Sequence, residues 1–256
     1  MKKVIICAFI SAPLLLLEGC SVLQNRSWDS EQLAAAAGNA ITAVTLSDAQ
    51  VAELSAQTIK SLDESNTIDN GTYQTRLNKL MSGITSVEGI TLNLKVYKTD
   101  EVNAFACGDG SIRVYSGLMD VMTDEEVMAI IGHEIGHVVH KDTKKALQSA
   151  YMTAAARNVI GAAGGTIGAL SQSAIGTIAE SFVSAQFSQK QEYQADDYGY
   201  KFSTEHGYSQ LSMYNALNKL LSLSSGSKAS LVQKMFSSHP GTEERAARMK
   251  EKASSN

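Results

Sequence analysis

The residues His133-Glu134-Ile135-Gly136-His137 stand inside a stretch that reads as one α-helix. Thr123 and Glu126 form a capping box, in which the threonine hydroxyl and the glutamate side chain each satisfy a free backbone amide. Val127, Ile130 and Ile131 repeat with helical period, and the pattern runs to about His140. Residues four apart share a helix face, so the imidazoles of His133 and His137 reach one point from the same side. Zinc accepts neutral imidazole nitrogens at about 2.0–2.1 Å. Glu134 projects beside such an ion, where it serves as general base to a zinc-activated water. Gly136 costs about 0.8–1.0 kcal/mol relative to Ala in a helix interior, which points to close packing or room for a ligand.

Three fixed letters are a weak signal alone, met by chance in roughly one chain in a hundred. The plain alternative is a pair of histidines on a helix surface. A catalytic zinc site needs a third protein ligand and an open position. His140, His206, His239 and a carboxylate are the choices. His140 shares the face but lies about 10 Å along the axis from His133. Thr143 stands where the longer H-E-x-x-H-x-x-G-x-x-H pattern has its last His. In Gln191-Glu192-Tyr193-Gln194-Ala195-Asp196, a predicted helix, Glu192 and Asp196 face the same way one turn apart. That suits a metal-binding carboxylate with an acid behind it to hold a histidine ring. It suits a solvated acidic helix face equally well.

The chain begins as a targeting segment. Met1-Lys2-Lys3 is basic, residues 4–17 are apolar and uncharged, and Leu17-Glu18-Gly19-Cys20 closes the run. The run is short for a membrane span. Its ending resembles a bacterial lipobox, with Glu18 where a small neutral residue is usual, and this marks Cys20 for lipidation. A plain cleaved signal or an uncleaved anchor is the alternative. Several acyl chains would hold the protein to a membrane, each buried CH₂ adding about 0.8 kcal/mol. Ser21 after the cysteine, rather than Asp, favours the outer membrane by likeness to other Gram-negative lipoproteins. Residues 21–46 read as a tether reaching roughly 25–30 Å, and 47–256 as one domain. A net charge of −4 without a basic run argues against nucleic acid as a partner. Cys7 leaves with the leader and Cys107 has no evident partner, so this is not a disulfide scaffold.

Along the domain, Ser47 caps a first predicted helix and a second covers about Thr72 to Met81. Extended segments follow at Thr91–Lys98, Val102–Ala106 and Ile112–Tyr115. After the H-E-x-x-H helix come helical stretches at Thr143–Asn158, Ile178–Glu205, Ser209–Ser222 and Thr242–Ala253. Residues 158–179 carry no charge and five glycines, with Ser171, Gln172 and Ser173 interrupting the apolar run. A helical hairpin or lid over the cleft is favoured there over a membrane-contacting segment.

Asn103-Ala104-Phe105-Ala106, Ile112 to Leu118, His133 to His137, Glu192-x-x-Ala195-Asp196-x-x-Gly199 and His239-Pro240, in this order, resemble the HtpX-like family of gluzincin metallopeptidases. The likeness is to its periplasmic lipoprotein branch. It implies a mainly helical α+β fold, a zincin-like metallopeptidase domain with a small sheet packed near the H-E-x-x-H helix. It implies one Zn2+ held by His133, His137 and Glu192, with Glu134 as base and Asp196 supporting a ligand. Ile112, Arg113, Val114, Tyr115 and Ser116 are expected to border the cleft as a substrate edge strand. His239 is expected to act near the metal as a transition-state donor or a displaceable ligand, or else to be a surface histidine before a turn. Members of that branch often carry a second domain cysteine ahead of the strands. Thr58-Ile59-Lys60 here holds none, so a disulfide to Cys107 is not available. The implied activity is cleavage of unfolded, misfolded or stalled envelope proteins, with the outer-membrane assembly machinery as a further partner. A non-proteolytic chaperone using the same cleft is the alternative, and the intact Glu134 argues against it.

Overall fold

A computed structural model describes residues 46–156, 167 and 170–255. The leader, Cys20, the tether as far as residue 45 and most of 157–169 lie outside the described residues.

Helix α1 (Asp48–Ser65) opens with Ser47 and Gln50 in a reciprocal capping box. Strand β1 (Ile68–Asp69) and helix α2 (Thr72–Leu80) follow. Asp69 ends the strand and accepts the amides of Gly71 and Gln74, so it also starts the helix. Strands β2 (Ser86–Val87) and β3 (Ile90–Thr91) form a hairpin. Its two-residue turn, Glu88-Gly89, takes positive φ at both positions (49° and 81°), the backbone that matches strand twist.

Strands β4 (Asn93–Tyr97), β5 (Ala104–Ala106) and β6 (Ser111–Tyr115) join β1 in a sheet of order β1-β4-β6-β5. β4 and β6 run parallel, while β5 pairs antiparallel to β6. Helices α3 (Ser116–Val121), α4 (Asp124–Val139), α5 (Asp142–Ala156) and α6 (Gln172–Val183) come next. The chain ends with α7 (Gln189–Glu205), α8 (Ser212–Ser224), α9 (Ala229–Ser238) and α10 (Thr242–Ser254).

The sheet is covered on both faces. Val96, Ile112 and Val114 point into a core with Met128, Ile131 and Ile135 of α4 and Phe202 and Met213 beyond it. Tyr97, Phe105 and Tyr115 point into a second core with α1, α5 and α6. Each fully buried large side chain contributes about 1.5–3 kcal/mol. Arg113 is 1% exposed among the residues of the second face. Its guanidinium is satisfied by both oxygens of Asp63 and by the carbonyls of Asn93 and Ile112.

This topology corrects the expected edge strand. Ile112, Arg113, Val114 and Tyr115 lie in an interior strand, hydrogen-bonded on both sides, and Ser116 begins α3 with its hydroxyl bonded to Thr99. The free edge on that side is β5. Tyr115 donates to the carbonyl of Asn103 and Cys107 donates to that of Ser111, so residues 103, 105 and 107 pair inward. By the antiparallel alternation, the backbone groups of Ala104 and Ala106 face away from β6. A run buried at every position, as β6 is, is the pattern of a strand covered on both faces.

The helical stretch expected from Ile178 to Glu205 is two helices, broken between Val183 and Gln189. Ser188 and Gln191 form a fresh capping box there. Helix α9 had no counterpart in the sequence reading. Helix α6 packs on α1 and α5, and Phe182 meets Phe105 edge-on. No helix among the described residues is long and apolar enough to cross a membrane.

Helix α4 lies between the sheet and α7, and the contact with α7 is made without side chains on one line. A Cβ on Gly136 would lie 2.9 Å from the Cβ of Tyr198 and 3.1 Å from the Cα of Ala195. A Cβ on Gly199 would lie 2.7 Å from the carbonyl oxygen of Ala129. The two helices therefore meet backbone to backbone, which brings Glu192 to the histidines. Gly136→Ala should gain helix propensity of about 0.8–1.0 kcal/mol but lose more to overpacking, about 1–3 kcal/mol. Chemical denaturation should show a net loss, and zinc content should fall as α7 is pushed away. A variant as stable as wild type and fully zinc-loaded would show that the contact is not limiting.

Candidate active site

Four side chains from three places in the fold converge. His133 and His137 come from α4, Glu192 from the first turn of α7, and His239 from the C-terminal end of α9. All are buried, and one donor atom of each lies within 4.8 Å of the others. His133 Nε2 stands 3.1 Å from His137 Nε2 and 3.3 Å from His239 Nδ1. Glu192 Oε1 stands 3.1 Å from His239 Nδ1 and 3.4 Å from His137 Nε2. Four ligands at zinc's bonding distance, tetrahedrally placed, would be about 3.3 Å apart. The donor set and its spacing fit zinc.

The hydrogen bonds behind the ligands support the same conclusion. His133 Nδ1 lies 2.9 Å from Asp196 Oδ1, and His137 Nδ1 lies 3.2 Å from Asp142 Oδ2. A carboxylate accepts, so each Nδ1 carries the proton and each Nε2 presents a lone pair. Two lone pairs 3.1 Å apart in a buried site repel unless a positive charge, a proton or a metal ion, lies between them. Glu192 Oε2 and Glu134 Oε1 are likewise buried without a hydrogen-bond partner. Arg245 Nη1 does lie 2.5 Å from Glu192 Oε2, but not in hydrogen-bonding geometry.

Burial pushes His133 down to about 4, against the pull of Asp196, which favours the neutral ring a metal requires. Burial also opposes charge on His137, but Asp142 and Glu192 outweigh it and raise that ring to about 9. An ion would displace this proton on binding. Burial raises Glu134 above the ordinary carboxylate range. Glu192 is held well below that range: burial opposes this, but His239, His137 and Arg245 outweigh it.

Arg245 of α10 is the deepest support. Its Nε and Nη2 donate to the two oxygens of Asp196 at 2.8 and 2.6 Å, and Nη1 donates to the carbonyl of His239. One guanidinium thus ties α7, α10 and the His239 loop together behind the ligands. Phe187 stacks on His137 with centroids 3.9 Å apart, and its amide donates to the carbonyl of Ser238.

Residues 70–253 match the model of peptidase family M48. The chain belongs to peptidase family M48. Metalloprotease LoiP of Escherichia coli (strain K12) is 42% identical over 242 residues, covering 93% of this chain and 92% of LoiP. Metalloprotease YcaL of the same organism is 35% identical over 259 residues, covering 100% of this chain and 99% of YcaL. A protease HtpX homolog of Polynucleobacter necessarius is 27% identical over 190 residues, covering 60% of this chain and 66% of that protein. The M48 chain is a zinc metalloprotease with a mainly helical domain and a small sheet.

Of the histidines weighed as ligands, the M48 site gathers His133, His137 and His239. His140 caps α4 and faces Tyr198 edge-on, while His206 bonds through Nδ1 to the carbonyl of Phe202 at 2.7 Å. His239 is 4% exposed, which rules out the surface-histidine alternative. The sequence reading missed Asp142, Arg245 and Phe187. Asp142 carried a local signal, being an acid just past the end of the H-E-x-x-H helix. Lys141 adopts positive φ (59°) and turns the chain back, so Asp142 reaches His137. Gln191 Nε2 then donates to Asp142 Oδ1 at 2.7 Å. Asp142→Ala should weaken zinc binding about 10–100-fold, as removal of such a support typically does. Competition with a chromogenic chelator would read this, and unchanged affinity would remove Asp142 from the site.

Proposed function

We propose that this protein is an endopeptidase of the bacterial envelope, anchored through Cys20 at the periplasmic face of the outer membrane. It cleaves unfolded, misfolded or stalled envelope proteins. The observation that carries the catalytic reading is the buried donor cluster of His133, His137, Glu192 and His239 beside the unbonded carboxylate oxygen of Glu134. LoiP and YcaL, both named metalloproteases from a Gram-negative bacterium, support the activity and the setting.

His133, His137 and Glu192 would hold the zinc, which when bound would polarise a carbonyl and make water acidic enough to deprotonate near neutral pH. Glu134 takes the proton of the attacking water and returns it to the leaving amine. Asp196 and Asp142 fix the tautomers of the two rings. His239 lies with Nδ1 toward Glu192 and with Nε2 3.7 Å from Glu134 Oε1. Four protein donors describe a closed site and catalysis needs an open one. With zinc bound, His239 would be the donor to give way to substrate, and its ring, beside Glu134, could then donate to the developing oxyanion. An extended peptide adds to the free edge of β5, where the backbone of Ala106 and the carbonyl of Ala104 offer partners, the Ala104 amide being held by Asn103 Oδ1. Unfolded chains expose such backbone and folded ones do not, which favours them as substrates. Outer-membrane assembly intermediates would meet an enzyme so anchored.

The test is digestion of casein by the zinc-loaded full chain, followed with and without a chelator. Cleavage that stops on chelation and returns with zinc is expected, together with zinc loss in Glu192→Ala. Full zinc loading with casein left intact would overturn the reading.

A further inference from the structure

Helices α4 and α7 deliver the zinc ligands, and one side chain outside the ligand set is bonded toward both. Gln191 sits in the first turn of α7, immediately before Glu192. Its Oε1 accepts the backbone amide of Ser188 at 2.8 Å and the Ser188 hydroxyl at 2.7 Å. Its Nε2 donates to Asp142 Oδ1 at 2.7 Å. We propose that Gln191 is a positioning residue, which holds Asp142 against His137 and so fixes where α7 presents Glu192 relative to that ring.

The contacts close a ring. Glu192 Oε1 stands 3.4 Å from His137 Nε2, and His137 Nδ1 stands 3.2 Å from Asp142 Oδ2. Asp142 then accepts from Gln191, whose backbone continues into Glu192. A shift of α7 along α4 has to stretch one of these contacts, so the ring resists it. Without Gln191 the ring opens at Asp142. That residue is 2% exposed and starts α5. Among the described residues, the hydrogen bonds of its carboxylate are with His137 and Gln191. Lys145 Nζ is 3.6 Å from Oδ1, and its side chain is 67% exposed, so water competes for that ammonium. Gln191 is thus the firm hold on the oxygen that His137 does not use.

The residue type follows from the two demands on it. A capping box such as Ser188-x-x-Gln191 takes either Glu or Gln at its last position. A glutamate would meet the Ser188 amide equally well but turn a second acceptor toward the buried carboxylate of Asp142. An amide accepts at one end and donates at the other. The Ser188 amide needs the oxygen, which leaves Nε2 for Asp142.

Gln191→Met keeps the length and helix propensity of glutamine but gives up both of these hydrogen bonds. Gln191→Ala, the stronger helix former, repeats the change with a smaller side chain. Competition with a chromogenic chelator would give the zinc affinity of the full chain, of each variant, of Asp142→Ala and of the two double variants. Each Gln191 variant should bind zinc about tenfold more weakly, the lower end of what loss of a ligand's supporting group costs. In the Asp142→Ala background the same changes should alter affinity by less than about twofold, because nothing is left to hold. A cooperative denaturation of each zinc-free chain shows that the affinities belong to folded protein. Undiminished affinity in both Gln191 variants overturns the proposal. So does a tenfold loss that recurs in the Asp142→Ala background, which would place the effect at the start of α7 alone. Cleavage does not enter the comparison, so a zinc-loaded wild type that leaves casein intact overturns the peptidase reading and not this one.

Discussion

Glu134→Gln should retain zinc and its fold while casein cleavage falls by about 10³-fold or more. Gln matches Glu in shape but cannot accept the proton of the attacking water, and a positioned general base is worth about 10²–10⁴ in rate. Glu134 Oε1 has no hydrogen-bond partner, so no internal bond is lost at that atom. His133, His137 and Glu192 are untouched, so metal analysis should match wild type. The same variant separates a protease from a binding factor. A chaperone using this cleft needs no base, and Glu134→Gln would then suppress aggregation of an unfolded protein as well as wild type does. Cleavage at wild-type rate by Glu134→Gln would disprove the assigned role.

Arg245→Ala should be among the most destabilising single changes in the domain. Arg245 is 2% exposed and lies between Asp196 and Glu192, both fully buried. Removing it strands two carboxylates in a dry interior, and breaking a buried charge pair from one side costs about 3–5 kcal/mol. Chemical denaturation of zinc-free and zinc-loaded protein measures this. Zinc should recover part of the loss, since the ion neutralises Glu192, but Asp196 stays without its partner. Arg245→Lys should lie between, because an ammonium keeps the charge but cannot reproduce the fork on Asp196. A loss below about 1 kcal/mol in the zinc-free protein would mean that Asp196 finds another partner or a proton.

Much of this site was legible along the chain because helices write their geometry into spacing. Thr123 with Glu126, and Ser47 as a cap, announced helix starts that the structure keeps. His133 and His137 had to share a face once that helix existed. Gly136 hinted at a close approach, and the approach is to Tyr198 and Ala195. Glu192 with Asp196 stood as an acid pair one turn apart. Nothing local separated a ligand pair from a solvated face, and only burial against α4 decided it. The edge strand went the other way. Ile112 to Tyr115 has the composition of a strand, but strand order is a long-range fact, and the order puts β5 outside.

The sequence by itself determined the chemistry available: two imidazoles and a carboxylate at helical spacing, a capped helix to carry them, and further acids and histidines in reach of selection. Tertiary structure alone decided which of those groups meet. His239 and Arg245 lie more than a hundred residues from His133 and converge on it through helix packing. The physical reason is that capping and periodicity act within a few residues. The desolvation that turns a surface histidine into a ligand, and an arginine into the tie between two carboxylates, arises only when distant elements close around them.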